Sequence, residues 1–242
     1  MSPDTDTKQA EPDVAPTPPT RLVLVRHAVT PETGKVLTGR TPGVHLSDRG
    51  REQAKATADR LAGTGVAAVY ASPIERTTET AELVAERHGL PVVPLDDVVE
   101  ADFGSWTGET LSGLAERDEW AVVQKAPSRF RFPDGESILE MQARTVSGLD
   151  TVAARHPGEV VVVVSHADPI RVALAHFAGT PLDLFQRVIV EPASISVVAL
   201  APWGACIVRI NDTGDLTDLD PAAESGRGTD SESSSPSRED EP

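Results

Sequence analysis

Apolar positions along this chain follow two alternating rhythms. Short runs from Arg21 to Val25 (RLVLV), Val66 to Ala71 (VAAVYA) and Val160 to Val164 (VVVVV) read as buried strands. Five consecutive valines suit a central strand covered on both faces, because a half-exposed strand would alternate with polar residues. A shorter apolar run extends from Val92 to Leu95. Between the runs the spacing becomes helical. Ser47 caps a helix that reaches about Leu61. Ser72-Pro73-Ile74-Glu75 reads as a capping box with Pro at the first helical position, and Gly89 closes that helix. Ser137-Ile138-Leu139-Glu140 reads as a second capping box, opening a stripe of Ile138, Met141, Thr145, Leu149 and Val152. Asp168-Pro169 begins another helix straight after the valine run. Two last runs, Ile195 to Leu200 and Ala205 to Ile210, flank Pro202-Trp203-Gly204 and read as a hairpin. Strands alternating with helices predict an α/β fold with a largely parallel sheet and helices on both faces.

Composition narrows the class. The 242 residues carry 22 Lys plus Arg against 38 Asp plus Glu, a net charge of −16. Residues 1–20 hold five prolines and only Val14 as a sizeable apolar residue, and residues 213–242 hold no aromatic residue. Neither stretch can bury enough apolar surface to offset ordering entropy, so both are expected to be disordered tails. They carry −3 and −7 of the charge and leave −6 for one domain at residues 21–212. An acidic chain argues against nucleic acid as a partner, since phosphate neutralisation needs a basic surface. It argues equally against a polybasic membrane-surface protein. The one cysteine, Cys206, excludes an internal disulfide framework and a cysteine-rich zinc site. No apolar stretch approaches the roughly 20 residues that span a bilayer, and residues 1–20 have no apolar core of a secretory signal. A cytoplasmic globular protein is expected, of unspecified oligomeric state.

The chemistry gathers where the strands end. In open α/β sheets ligands bind beyond the carboxyl ends of the strands. The first strand ends in Arg26-His27, the second in Ser72-Pro73 with Arg76 one turn on, and the valine run in Ser165-His166. Two imidazoles and two guanidiniums therefore meet at one sheet edge. Guanidinium forks match phosphate oxygens two at a time, and helix N-termini at Ser72 and Asp168 add anion-favouring dipoles. An imidazole among them can attack phosphorus through its unprotonated nitrogen. A carboxylic acid must then protonate the leaving alcohol. Glu100, just past the Val92 run, is the leading candidate for that acid, with Asp102 two positions away.

Each of these residues also has an ordinary reading. A histidine after a strand is commonly just hydrogen-bonded, and an arginine on a first helical turn is commonly solvated. Joint placement at three strand ends favours chemistry. The other histidines read as structural: His88 and His156 at helix C-termini, His45 in a Pro/Gly loop and His176 in a helix middle. Cys206 reads as a small core hydrophobe. Phe103 and Trp106 read equally as pocket wall or core.

Arg26-His27-Ala28-Val29-Thr30 resembles the RHGxT signature of the histidine phosphatase superfamily, the phosphoglycerate-mutase-like group. The resemblance continues through Thr38-Gly39-Arg40, Leu46-Ser47-Asp48-Arg49-Gly50 and Ser72-Pro73-Ile74-Glu75-Arg76-Thr77. It runs on through the segment from Glu100 to Gly108, Gly135-Glu136-Ser137, Ser165-His166 and Asn211-Asp212-Thr213. It spans about residues 21 to 216 in order. The resemblance implies a three-layer αβα sandwich with a mostly parallel sheet, needing no metal and no cofactor. By it His27 is the nucleophile, Arg26 and Arg76 clamp the phosphoryl group, His166 donates to it and Glu100 is the proton donor. It also brings Thr33, Thr38, Gly39, Arg40 and Ala167 toward the substrate. Two departures stand out: Ala28 replaces the family's glycine, and Thr33 replaces an asparagine that binds phosphate. The segment from His27 to Gly39 is also one residue short.

The resemblance implies a phosphomonoester hydrolase working through a phosphohistidine on a small phosphorylated metabolite. A mutase shares that intermediate but must exclude water, which needs a lid and extra cationic contacts. The 66-residue interval from Glu100 to His166 is compact for a mutase, though Arg129 and Arg131 within it could meet an anionic substrate. A silent phospho-ligand binding module is a third reading, opposed by the presence of both His27 and Glu100.

Overall fold

The structure, a computed structural model, describes residues 18–214. A six-stranded sheet forms its middle layer, in the order β3-β2-β4-β1-β5-β6. The strands are β1 (Thr20–Arg26), β2 (Val66–Ala71), β3 (Val92–Pro94), β4 (Val160–Ser165), β5 (Ile195–Ala201) and β6 (Gly204–Asp212). The first four lie parallel, and β5 and β6 join antiparallel as the hairpin read from the sequence. β4, the valine strand, lies between β1 and β2, with Val162, Val163 and Val164 fully buried.

Strand pleating sends alternate side chains to two helical layers. Leu22, Leu24, Val161 and Val163 meet Leu149, Val152, Ile170 and Leu174 from α5 (Ile138–Arg155) and α6 (Ala167–Phe177). Val23, Val25, Val162 and Val164 meet Ala58, Leu61, Ala81 and Val84 from α1 (Asp48–Leu61) and α2 (Glu75–His88). Each such side chain, fully buried, contributes about 1.5–3 kcal/mol, so the continuous valine run stabilises both interfaces at once. Two short helices, α3 (Leu111–Ala115) and α4 (Asp118–Lys125), carry Leu114 and Val123 into a third cluster with Phe103, Trp106, Phe130 and Phe132.

Helix starts show where local reading holds and where packing overrides it. Ser47 caps α1 by accepting from Gly50 N, and Ser137 and Glu140 form the reciprocal capping box of α5. The capping box expected at Ser72 does not form. The N-cap of α2 is Ile74, without a side-chain bond, and Glu75 Oε1 instead accepts from Gly43 N at 2.9 Å. Helix α6 starts two residues earlier than expected, with His166 rather than Asp168 as N-cap and Asp168 inside the first turn. His176 lies in the last turn of α6, not its middle, and Cys206 is exposed on the edge strand, so it is not a core hydrophobe. The ladder of β6 against β5 is interrupted by bulges, which turn its side chains off strict alternation. At the domain's start Thr20 is already in β1, buried, and bonded to His156 O. Of the expected tails at 1–20 and 213–242, residues 1–17 and 215–242 lie outside the described residues.

One contact ties a helix end to the loop after β1. Gly50 presses on Val29, and a Cβ there would lie 2.0 Å from the Val29 carbonyl oxygen, which already accepts from Ser47 N and Oγ. Gly50→Ala should therefore push α1 off the loop and cost roughly 1–3 kcal/mol. Thermal unfolding followed by circular dichroism checks this. A melting temperature within a degree of the parent would contradict it.

Candidate active site

Three adjacent parallel strands bring the polar residues together. At their carboxyl ends His27 N donates to Ser165 O at 2.9 Å, and Ser72 N donates to Val164 O at 3.0 Å. The chain ends carrying Ser72, His166 and Arg26-His27 are thus stitched side by side. The backbone hydrogen bonds fix these distances before any side chain chooses a rotamer.

His27 is buried, and its Nδ1 lies 2.8 Å from the Ala28 carbonyl oxygen. A carbonyl only accepts, so Nδ1 carries the proton and Nε2 presents its lone pair. Arg76 Nε donates to that Nε2 at 3.3 Å. The same guanidinium donates through Nη2 to Gly39 O at 2.8 Å and to His166 Nδ1 at 3.1 Å. Arg76 is 1% exposed, a rare state for a charged side chain and one that needs such fixed acceptors. His27 and His166 pack edge to face with ring centroids 5.2 Å apart. Arg26 donates through Nη1 to Val190 O at 2.7 Å.

Three buried guanidinium nitrogens, Arg26 Nε, Arg76 Nη1 and Arg171 Nε, have no protein partner among the described residues. Buried donors are normally satisfied, so their clustering beside a cavity suits an anionic ligand. The cavity has a volume of about 470 Å³ and is bordered by Arg26, His27, Glu100, Phe103, Trp120 and Arg171, among others. Arg76 and His166 each contact a residue that borders it: Arg76 Nε donates to His27 Nε2, and His166 Nδ1 lies 3.9 Å from Glu100 Oε2.

Burial and cations set the protonation states. Burial first, then Arg76 and Arg26, hold His27 well below its ordinary 6.5. His166 is lowered in the same way, by burial and then Arg76, His27, Arg26 and Arg144. Glu100 moves the other way: burial, then the neighbouring charge of Asp168, push it up to about 7 against the pull of Arg76. The site therefore sets an unprotonated imidazole beside a carboxyl group that holds its proton near neutrality. Paired groups driven apart in this way divide the roles of nucleophile or base and acid.

The family model of the histidine phosphatase superfamily (branch 1) matches residues 22–213. The chain belongs to the histidine phosphatase superfamily. It is 33% identical over 198 residues to phosphoserine phosphatase 1 of Hydrogenobacter thermophilus, covering 80% of this chain and 92% of that protein. It is 28% identical over 208 residues to the probable phosphoglycerate mutase GpmB of Erwinia tasmaniensis, covering 84% and 96%. The chain spans 55% of the length of a bifunctional protein of Mycobacterium tuberculosis to which it is 37% identical. The solved structure of YhfR from Bacillus stearothermophilus superposes with a TM-score of 0.71 at 27% identity, covering 80% of this chain and 97% of that one. The αβα fold matches this neighbour.

Most residues expected at the site reach it. Thr33, Thr38, Gly39 and Ala167 border the cavity. Thr33 Oγ1 accepts from Thr30 N at 2.9 Å and pairs with Thr30 Oγ1 at 3.0 Å, bracing the loop that in the family holds an asparagine. Ala28 faces away from the cavity, its side chain packed with Leu46, Ala54 and Ala193. Its methyl therefore leaves the phosphate approach of a histidine phosphatase open. Arg40 is engaged elsewhere: Nε donates to Glu100 O at 2.9 Å and Nη2 to Glu136 Oε1 at 3.1 Å. Asp102 accepts from Gly104 N and faces Arg40, leaving Glu100 as the carboxyl at the cavity. Neither Arg129 nor Arg131 borders it, and Arg131 pairs with Glu140. Phe103 serves as both wall and core, whereas Trp106 is core.

Sequence reading missed several residues. Arg171 borders the cavity, paired at 3.1 Å with Asp168, which the sequence marked only as a helix start, and Trp120, Gln124 and Gln186 border it from segments that carry no motif. Arg144, on α5, donates to Asp97 O, Val99 O, Glu100 O and Glu136, clamping the segment that carries the acid. Its place on the polar face of an amphipathic helix gave no signal of that task. Inorganic phosphate at a hundred times its Kd should raise the melting temperature by roughly 5–10 °C, as expected for ligand-linked stabilisation. Arg76→Met should abolish the rise. A phosphate-dependent rise that survives the substitution would contradict the assigned pocket.

Proposed function

We propose that this protein is a phosphomonoester hydrolase that acts through a phosphohistidine on a small phosphorylated metabolite in the cytoplasm. The observation that carries the reading is His27: Nδ1 is tied to Ala28 O, and a bare Nε2 faces Arg76 while Glu100 stands protonatable at the same cavity. In the proposed first step the Nε2 lone pair attacks phosphorus. The phosphorus–oxygen ester bond breaks as Glu100 gives its proton to the leaving oxygen. In the second step Glu100 takes a proton from water, the water oxygen bonds to phosphorus and the nitrogen–phosphorus bond breaks. Arg26 and Arg76 hold the phosphoryl oxygens in both steps, and the N-terminus of α6 at Ala167 adds its dipole.

The relative named as a phosphoserine phosphatase supports hydrolysis of a small metabolite, and the relatives named as probable phosphoglycerate mutases favour transfer to a second hydroxyl. The placement of Arg129 and Arg131 away from the cavity supports hydrolysis. A substrate panel that includes phosphoserine, set against isomerisation of 3-phosphoglycerate, separates the two. Isomerisation without net release of phosphate would select the mutase.

Brief exposure to a phosphomonoester should leave an acid-labile, base-stable phosphoryl group on the protein, and His27→Ala should abolish it. Label that persists in the variant would remove the mechanism, and absence of label from the parent would favour the silent binding module. The pH profile has a defined sign. Glu100 must hold its proton for the first step, so kcat/KM falls as pH rises through about 7. His27 must be unprotonated, and its lowered pKa keeps it so well below 6.5. Glu100→Gln should slow alkyl phosphates about 10²–10⁴-fold and remove its own part of the alkaline limb. A nitrophenyl ester, whose leaving group needs no proton, should lose far less. Equal losses on both would exclude Glu100 as the acid.

A further inference from the structure

Ser72 takes no part in the roles assigned above, yet it is 0% exposed and its Oγ lies 2.8 Å from His166 Nε2. On the other side of the same ring, Arg76 Nη2 lies 3.1 Å from Nδ1. A guanidinium has donors only, so Nδ1 presents a lone pair to it. A neutral ring then carries its proton on Nε2 and donates it to Ser72 Oγ. Nδ1 is also the nitrogen turned toward Glu100, whose Oε2 lies 3.9 Å away. In this arrangement His166 has no hydrogen to offer a phosphoryl oxygen; its lone pair would repel one.

We propose that Ser72 is a positioning residue that holds His166 through Nε2–H, so that Nδ1 can accept a proton brought in by the phosphoryl group itself. The inference rests on the phosphoryl-transfer reading of the site. The substrate form that this arrangement selects is the phosphomonoester monoanion. Its phosphoryl O–H bond breaks and an Nδ1–H bond forms, giving a phosphoryl dianion beside an imidazolium. Arg76 Nη2 then turns its hydrogen from Nδ1 to a phosphoryl oxygen, and Nδ1–H donates to another.

The surroundings explain why the proton arrives with the ligand. Arg76, Arg26 and Arg144 face His166 with positive charge and His27 packs edge to face against it, while Glu100 is the facing acid. Burial and those cations disfavour an imidazolium until the phosphoryl group contributes two negative charges. A serine suits the far side because its oxygen accepts from Nε2 without adding charge. A carboxylate there would hold the imidazolium permanently, and an alanine would strand a buried N–H.

Nitrogen NMR of the full chain with ¹⁵N-labelled histidine tests this, with His166→Gln used to assign the ring. Without ligand, Nδ1 should give the signal of a bare nitrogen and Nε2 that of a protonated one. Inorganic phosphate at neutral pH should turn both into protonated signals. In Ser72→Ala, with the remaining histidine signals showing an intact fold, the complex should lose its second proton at least one pH unit lower. Above that pH phosphate should bind about tenfold to a hundredfold more weakly, the range of a charge-assisted hydrogen bond, with a smaller loss at pH 6. Ser72→Thr, which keeps the hydroxyl, should behave as the parent. A protonated Nδ1 in the ligand-free protein, or a neutral ring in the complex, would overturn the proposal. So would an equal loss of affinity at every pH in Ser72→Ala. If Ser72→Ala fails to fold, the two parent spectra still decide. Absence of a phosphohistidine would count against the hydrolytic reading instead, and is scored separately.

Discussion

The burial of Arg76 is the constraint on which the rest of the structure depends. A guanidinium withdrawn from water needs several fixed acceptors, and here Gly39 O, His27 Nε2 and His166 Nδ1 supply them from three separate segments. One side chain thereby sets the relative positions of the two imidazoles and of the loop after β1. Gly39 adopts a positive φ of 50°, and a Cβ there would lie 3.0 Å from Phe103. The residue that turns its carbonyl toward Arg76 is accordingly one with no side chain.

Gathering cations beside imidazoles has electrostatic consequences that the site turns to use. Arg26 and Arg76 are both lowered from the ordinary guanidinium range by burial, and Glu100 opposes the shift in each. Keeping both histidines neutral avoids adding two more positive charges to that interior. The same burial that disfavours imidazolium also disfavours carboxylate, which is why Glu100 moves up while the histidines move down. A single low-dielectric environment thus prepares an unprotonated nitrogen and a protonated carboxyl group within one cavity.

Supporting shells hold these groups in register. Glu136 accepts from Asp102 N and from both Arg40 and Arg144, and those two arginines also donate to Glu100 O. The acid is therefore positioned by its backbone, leaving its carboxyl group to the cavity. Beneath it Phe103, Trp106, Phe130 and Phe132 pack with ring centroids 4.9–5.7 Å apart, giving the segment a rigid floor.

Periodicity made the strands, their parallel arrangement and the main helices legible, because pleat and helical pitch impose their repeats on any sequence that buries one face. Motif order made His27, Arg76, Glu100 and His166 legible, because chemistry restricts each to very few residue types. Local patterns failed wherever a side chain had a distant partner. Ser72 looked like a helix cap but bonds His166, 94 positions away, and Arg40 looked like a substrate contact but holds Glu100 and Glu136. Arg144 carried no signal at all, since three of its acceptors are main-chain carbonyls, which have no identity in a sequence, and the fourth partner, Glu136, lies eight positions away in a separate loop. Residue chemistry along the chain specified which groups were available. Their pairing and charge states arose from long-range packing, because burial and distance, which govern both, exist only once the chain has folded.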